Sequence, residues 1–314
     1  MRRWWRAPAR PAEDRAWVRR GAWAAAPALL AGLAVWHPGA PVAQVELHDG
    51  TVWVTNEAEL RLGRFNPVVE ELNAGLAATA DRFDVLQDGF DVLLAQAGSL
   101  AVVDPAQVAL AGQATTPFGA RVSMAGGTTA VVGPDGAVWA RPTALVGSLR
   151  ADADPPDLEL GEGGAAVVAR GGTVLAVGPD GAVHRLTATA DGTAVAEAGR
   201  LAGGVAGPVH QVTAVGDEVV VLSGRTLATR TGVVDLSGHQ GALALQQPGP
   251  PADAVLVGVR GGLLEVPLDG GEPTLLPAGG GEPTAPVRVA GCAHGAWAAP
   301  SDNYVRACRG EAPV

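Results

Sequence analysis

The chain has 314 residues and a formal net charge of −10, which is unevenly distributed. Residues 1–20 carry seven arginines against two acids, whereas the remainder carries 15 arginines against 30 acids. The lack of a basic region beyond residue 20 argues against a nucleic-acid partner, and an apolar content of 47% fits a packed domain and excludes a disordered chain.

An apolar segment follows the basic start. Residues 21–43 contain no Asp, Glu or Arg, and about 20 helical residues cross the ~30 Å core of a bilayer. Trp23 and Trp36 lie near the ends of its apolar part, and indole rings favour the membrane interface. We therefore predict a basic cytoplasmic tail at 1–20, a single-pass signal anchor at 21–43 and an extracellular domain at 44–314, in the cell membrane. The alternatives are a cleaved signal peptide and a buried soluble helix.

The rest of the chain repeats one pattern seven times. A strand-like run reaches a turn and is followed by a run rich in small residues and Val, and the turn anchors are 39, 38, 45, 44, 37 and 42 residues apart: Gly50, Gly89, Gly127, Gly172, Gly216, Asp253 and Gly295. A repeat of about 40 residues, four short strands long, is typical of a β-propeller blade.

We therefore predict an all-β fold, a seven-bladed β-propeller of four-stranded antiparallel blades. The fourth strand of the third blade is predicted at 146–150, and the seventh blade is expected to be incomplete. The predicted blades lie near 44–73, 82–112, 120–150, 165–201, 210–238, 241–279 and 286–314.

Asp-Gly pairs mark several of the predicted turns. The motif GPDGAV occurs at 133–138 and at 178–183, and shorter Asp-Gly turns occur at 48–50 and 87–89. Because Asp-Gly tolerates the positive φ angles of a two-residue hairpin turn, we interpret these motifs as turns and not as metal sites.

The two cysteines, Cys292 and Cys308, both lie in the seventh repeat, on neighbouring predicted strands. A hairpin would bring them close, and one disulfide between them would contribute about 3 kcal/mol by loop entropy. Export of the domain favours this disulfide, and two free buried thiols are the alternative.

Sequence motifs for chemistry are scarce. No nucleophile elbow, phosphate-binding loop or zinc-ligand spacing occurs, so we predict no catalytic residue and no cofactor. The densest acidic segment, ADADPPDLELGEGG, offers Asp152, Asp154 and Asp157 as candidate calcium ligands; the alternative is a solvated loop between the third and fourth blades. Trp53, Trp139 and Trp297 lie inside strand runs, and we expect them to pack in the core rather than stack on sugars.

The segment VWVTNEAELRLGRFNPVVEEL at 52–72 resembles the repeat of YVTN-type propellers, and VVDPAQ at 102–107 is similar to its last part. The basic start, the apolar anchor, VELHDGTVWVTN, FDVLQDG and the segment at 260–276 resemble the N-terminal half of actinobacterial membrane-anchored proteins with C-terminal fibronectin type III domains. Those domains do not occur in this sequence. The resemblance implies a cell-surface binding or scaffold protein without catalytic residues.

Two functions remain open at this stage. The first is a non-catalytic, membrane-anchored propeller that binds a cell-surface protein or cell-wall glycan. The second is an exported propeller enzyme, either glycan-degrading or a quinone-dependent dehydrogenase. Glycan cleavage requires two carboxylates some 5–10 Å apart in a cleft, so carboxylates that face the central channel from different blades would distinguish the two.

Overall fold

The computed structural model describes residues 51–277, apart from 67, 206, 208 and 210, and the backbone of two further strands at 295–298 and 305–308. No helix in these residues is long and apolar enough to span a bilayer. The predicted signal anchor at 21–43 lies outside the described residues. So do Cys292 and the side chain of Cys308, and their disulfide stays a prediction.

The described residues form an all-β structure of antiparallel strands that pair in chain order. Sheet 1 contains β1 (Val52–Asn56), β2 (Arg61–Asn66) and β3 (Glu71–Ala77). Sheet 2 contains β4 (Phe83–Asp88), β5 (Asp91–Gln96), β6 (Ser99–Asp104) and β7 (Ala109–Thr115). Sheet 3 contains β8 (Arg121–Ala125), β9 (Thr128–Val132), β10 (Ala137–Pro142) and β11 (Leu158–Glu159).

The remaining sheets continue the pattern. Sheet 4 contains β12 (Ala165–Val168), β13 (Val174–Val177), β14 (Ala182–Thr189) and β15 (Gly192–Arg200). Sheet 5 contains β16 (Gln211–Val215), β17 (Glu218–Ser223), β18 (Thr226–Ala228) and β19 (Val233–Asp235). Sheet 6 contains β20 (Ala244–Leu245), β21 (Ala254–Val259), β22 (Gly262–Pro267) and β23 (Thr274–Pro277). The last hairpin pairs β24 (Gly295–Ala298) with β25 (Val305–Cys308).

Burial changes across each four-stranded sheet. The second strands, such as β9 and β17, are almost entirely buried. The run VVVL in β17 is continuously apolar, as expected for a strand covered on both faces, whereas β9 also buries two threonines. The fourth strands, such as β7 and β15, are mostly exposed. The second strand therefore forms the centre of each sheet and the fourth strand its outer edge.

The core of the described residues is divided into five apolar clusters, each shared by two consecutive sheets. Alternation along a strand produces this arrangement, because successive side chains point to opposite faces. In β12, Ala165 and Val167 join the cluster shared with sheet 5, whereas Ala166 and Val168 join the cluster shared with sheet 3. Each central sheet thus packs on both sides.

The first strands of the four-stranded sheets also follow one another in space. Strand β4 contacts β8, β8 contacts β12, β12 contacts β16, and β16 contacts β20. This succession places the inner edge of each sheet beside the inner edge of the next one, as in the blades of a β-propeller.

The fourth strand of sheet 3 is not where the sequence predicted it. Residues Thr143–Ser148 form a 3-10 turn, and the short strand β11 instead comes from the acidic segment, with Leu158 paired to Val138. The prediction of a strand at 146–150 is wrong because Val146 of the 3-10 turn and Leu149, which follows it, are buried in the cluster between sheets 2 and 3.

Both GPDGAV motifs form turns, as predicted, but the turns have a different geometry. In the first copy the Gly133 N–H donates to the Ala137 carbonyl at 2.8 Å, so the loop has three residues rather than two. Only Gly136 has a positive φ angle, of 85°, while the Asp135 carboxylate accepts the Ala137 N–H at 3.2 Å. This is a type I turn followed by a left-handed glycine.

Candidate functional site

The first strands are the natural place to look for a site, because in a propeller they line the central channel. Among the five first strands of the four-stranded sheets, only β4 carries carboxylates, Asp84 and Asp88. The other four have the sequences RVSMA, AAVV, QVTAV and AL. These five strands therefore do not present carboxylates to the channel from different sheets.

Polar side chains on these strands form hydrogen bonds with the backbone of the neighbouring sheet. The Gln211 amide accepts the Leu245 N–H at 2.7 Å and donates to the Leu243 carbonyl at 2.9 Å. The Ser123 hydroxyl accepts the Val168 N–H at 3.0 Å. The inner edge of a sheet has backbone groups without a strand partner, and these side chains satisfy some of them.

One cation lies where the first strands begin. Arg121, the first residue of β8, donates to the Gly164 carbonyl at 2.9 Å and to the Val209 carbonyl at 3.2 Å. Desolvation lowers the pKa of this guanidinium, but arginine remains charged at physiological pH. Within the described residues this guanidinium has no carboxylate partner. Its hydrogen bonds to the loops before β12 and β16 connect sheets 3, 4 and 5.

The two carboxylates Asp88 and Asp91 face each other across the turn between β4 and β5. Asp88 accepts the Gly126 N–H of sheet 3 at 2.7 Å. Desolvation, followed by the charge of Asp88, raises the pKa of Asp91. Asp88 therefore holds the turn against the next sheet, and both carboxylates come from a single hairpin.

The three candidate calcium ligands do not form a common site. Asp154 and Asp157 have other partners, and Asp152 is exposed. Asp157 forms an ion pair with Arg141 at 2.6 Å and accepts the Ala140 N–H at 2.8 Å. Asp154 accepts the Arg150 N–H at 2.8 Å. Within the described part of the chain no three His, Cys, Asp or Glu residues come together in a way that could hold a metal ion.

Two of the three tryptophans predicted to pack in the core are buried, and the side chain of the third, Trp297, lies outside the described residues. Trp53 and Trp139 are each 4% exposed, and the Trp139 indole donates to the Asp154 carbonyl at 3.0 Å. The acidic segment is therefore fastened to sheet 3 by this hydrogen bond and by Asp157. It is only in part the solvated loop that was considered as the alternative to a calcium site.

In the described part of the chain, one cleft opens between sheets 1 and 2 and another between sheets 5 and 6, both at the loops that flank the strands. The cleft between sheets 1 and 2, called cleft 1–2 below, has a volume of about 210 Å³ and is lined by Trp53, Arg64, Gln87, Phe90, Val92 and Pro105, among others. The cleft between sheets 5 and 6 has a volume of about 340 Å³ and is lined by Glu218, Arg230, Thr231, Asp253, Leu268 and Asp269, among others.

The two clefts differ in charge. In the cleft between sheets 5 and 6, Arg230 is paired with Glu218 at 2.5 Å, and two further aspartates line the space. The described lining of cleft 1–2 contains Arg64 and no carboxylate. Sequence reasoning missed Arg64 and Phe90, although an arginine recurs in the third-strand runs RLGRF, VWARP and VHRLT.

No protein-family model matches the chain, and no curated protein matches it. Among solved structures, the chain is similar to dihydro-heme d1 dehydrogenase NirN in complex with DHE, with a TM-score of 0.57 and 15% identity over 87% of this chain and 64% of that one. The chain thus spans less than two thirds of NirN.

It is also similar to the computationally designed protein Ika8, with a TM-score of 0.59 and 13% identity over 82% of this chain and 80% of that one. A structure of the mitotic checkpoint complex matches with a TM-score of 0.53 and 14% identity, over 82% of both chains. The neighbours are β-propeller proteins. At such identities the likeness concerns the fold alone, and the fold it indicates is the β-propeller.

Proposed function

We propose that the chain is a non-catalytic β-propeller binding module of seven blades, anchored in the cell membrane through residues 21–43 and exposed at the cell surface. The observation that carries the proposal is the composition of the first strands. Only β4 among the five described first strands of four-stranded sheets offers carboxylates, and glycan cleavage needs a pair of them across a cleft.

Two further observations support binding rather than chemistry. The polar side chains of the first strands, such as Gln211 and Ser123, are used in bonds between sheets. The acidic groups that sequence reasoning singled out, such as Asp157, are paired or exposed. The partner proposed is a cell-surface protein or cell-wall glycan, and the resemblance to anchored actinobacterial proteins points the same way.

The experiment uses the full-length chain in detergent micelles and purified cell-wall glycan. A binding module should co-sediment with the glycan, or with a purified cell-surface protein, and should release no reducing ends during prolonged incubation. Release of reducing ends, or a bound quinone chromophore in the visible spectrum, would replace the proposal with the enzymatic alternative. Protease treatment of intact cells tests the location, since an exposed propeller is degraded and a cytoplasmic one is not.

A further inference from the structure

We infer that cleft 1–2 binds the carboxylate at the C-terminal end of a peptide whose last side chain is apolar. The inference deepens the proposed binding function and rests on it. It is based on an arginine that recurs in the repeats and that, in cleft 1–2, has no carboxylate partner among the described residues, whereas its two counterparts each have one.

Three sheets place an arginine at an equivalent register position, on the second described strand of sheet 1 and on the third strands of sheets 3 and 4. Arg64 of β2, Arg141 of β10 and Arg185 of β14 each lie opposite the second residue of the preceding strand. Arg141 forms an ion pair with Asp157, and Arg185 forms one with Asp217 at 3.7 Å. Arg64 forms none with the described residues.

The carboxylate that pairs with Arg185 comes from the turn before the second strand of the next sheet. Asp217 is the second residue of the two-residue turn between β16 and β17, after a glycine with a φ angle of 58°. The equivalent turn in sheet 2 is Gly89-Phe90, with a glycine φ of 59°. Phe90 therefore occupies the place from which Asp217 reaches the preceding sheet.

The guanidinium of Arg64 is held in position and still has donors available. Its Nε donates to the side-chain amide oxygen Oδ1 of Asn73 at 3.0 Å, and its Nη1 donates to the backbone carbonyl of Pro105 at 3.0 Å. Nη2 makes no hydrogen bond with a described residue. A fixed guanidinium with free N–H groups matches a carboxylate, because charge-assisted hydrogen bonds are roughly twice as strong as neutral ones.

The walls of cleft 1–2 select the rest of the ligand. Phe90, which is 54% exposed, and the half-buried Pro105 contribute apolar surface, whereas Trp53 and Val92 line the base of the cleft and are almost fully buried. The Gln87 amide is already bonded to the Trp53 N–H at 3.0 Å and to the Thr51 carbonyl at 3.0 Å. A sugar would find few unused polar groups there, whereas an apolar side chain beside a carboxylate matches both the walls and the cation.

The volume of cleft 1–2 and the charges around it both fit the C-terminal end of a peptide. The volume of about 210 Å³ is below the roughly 300 Å³ at which pockets for drug-sized ligands begin, and capture of a terminal carboxylate is a known mode of peptide recognition. Asp88 and Asp91 lie close in sequence but on the other face of the hairpin, since Gln87 and Val92 line the cleft.

The test is a ligand-observed NMR titration of the full-length chain in micelles with three probes. The first is an N-acetylated tripeptide ending in valine with a free carboxylate, the second is its C-terminal amide, and the third is a tripeptide amide with glutamate as its last residue. We expect binding of the first probe at least tenfold tighter than that of the second. Tighter binding of the third probe would assign the cleft to side-chain carboxylates and overturn the assignment to chain ends.

Two variants and a matched control complete the test. Arg64→Gln should weaken the first probe about 10- to 100-fold, as expected for a charged hydrogen bond of 1.5–3 kcal/mol. Phe90→Asp should abolish binding while leaving Arg64 in place, since its carboxylate would imitate Asp217. The control Arg185→Gln should leave the affinity within twofold. Equal affinities for the acid and the amide, no binding of any probe, or an unaffected Arg64→Gln variant would each refute the inference.

These failures are distinguishable from failure of the proposed function. Glycan or protein binding that persists in Arg64→Gln, with no peptide binding in the parent chain, would refute the cleft inference alone. Release of reducing ends from glycan would refute the proposed function whatever the peptides do.

Discussion

Two adjacent glycines in the hairpin between β8 and β9 differ sharply in their surroundings. A Cβ atom on Gly126 would lie 2.5 Å from the Gly172 nitrogen and 2.6 Å from the Arg170 oxygen, whereas one on Gly127 would have no atom within 4 Å. Both residues have positive φ angles, 53° and 71°. We predict that Gly126→Ala destabilises the domain considerably more than Gly127→Ala.

The magnitude has two contributions. Left-handed backbone costs a non-glycine residue about 1–2 kcal/mol, and this cost applies to both substitutions. Gly126→Ala adds a contact with rigid backbone of sheet 4, comparable with an overpacked core at about 1–3 kcal/mol. We therefore expect losses of about 1–2 kcal/mol for Gly127→Ala and about 2–5 kcal/mol for Gly126→Ala.

The assay is equilibrium unfolding in urea, followed by tryptophan fluorescence, with Trp53 and Trp139 buried in the folded state. Gly126→Ala should lower the midpoint more than Gly127→Ala with an unchanged slope. Losses of the same size, within about 0.5 kcal/mol, would show that the turn does not press against sheet 4 and would refute the reasoning.

Two further predictions concern hydrogen bonds and charge between sheets. The folded-state pKa of Asp91 is raised above its ordinary value near 3.8 by burial and by Asp88, so ionised Asp91 reduces stability at neutral pH, and the reduction disappears as the pH falls below the unfolded value. Asp91→Asn should therefore increase the unfolding free energy at pH 7 but not near pH 3; equal gains at both would contradict this. Gln211→Ala should lower the free energy of unfolding by about 2–4 kcal/mol and speed hydrogen exchange at the Leu245 amide. The exposed control Gln113→Ala should change that free energy by less than about 0.5 kcal/mol. Similar losses for both variants would contradict the role of Gln211.

The strands were predictable from sequence because their burial leaves a clear pattern. The run VVVL in β17 is covered on both faces and therefore continuously apolar, and glycines such as Gly216 mark the turns by their positive φ angles. The seven-fold count and the blade boundaries remain predictions. Strand β11 was missed because Leu158 and Glu159 pair only briefly, with no apolar run to reveal them.

The candidate cleft was not predictable by the same means. Its distinctive feature is the replacement of a carboxylate at the position of Asp217 by Phe90, and that equivalence depends on the register of two hairpins. The arginines Arg64 and Arg185 look alike in sequence. Only the geometry shows that Arg185 has an ion-pair partner and that Arg64 has none among the residues that the structure describes. Motif searches seek residues that are present, whereas this site is recognised by an arginine without a carboxylate partner in the described part of the chain.

The division of the core into layers bears on how such a chain can diversify. Each apolar cluster is shared by two consecutive sheets, so a substitution at one boundary has little energetic coupling to the boundaries farther along the chain. One boundary can lose its internal ion pair and gain a binding function while the others continue to supply stability. The residues at each boundary between sheets can therefore change independently of the other boundaries within a single folded domain.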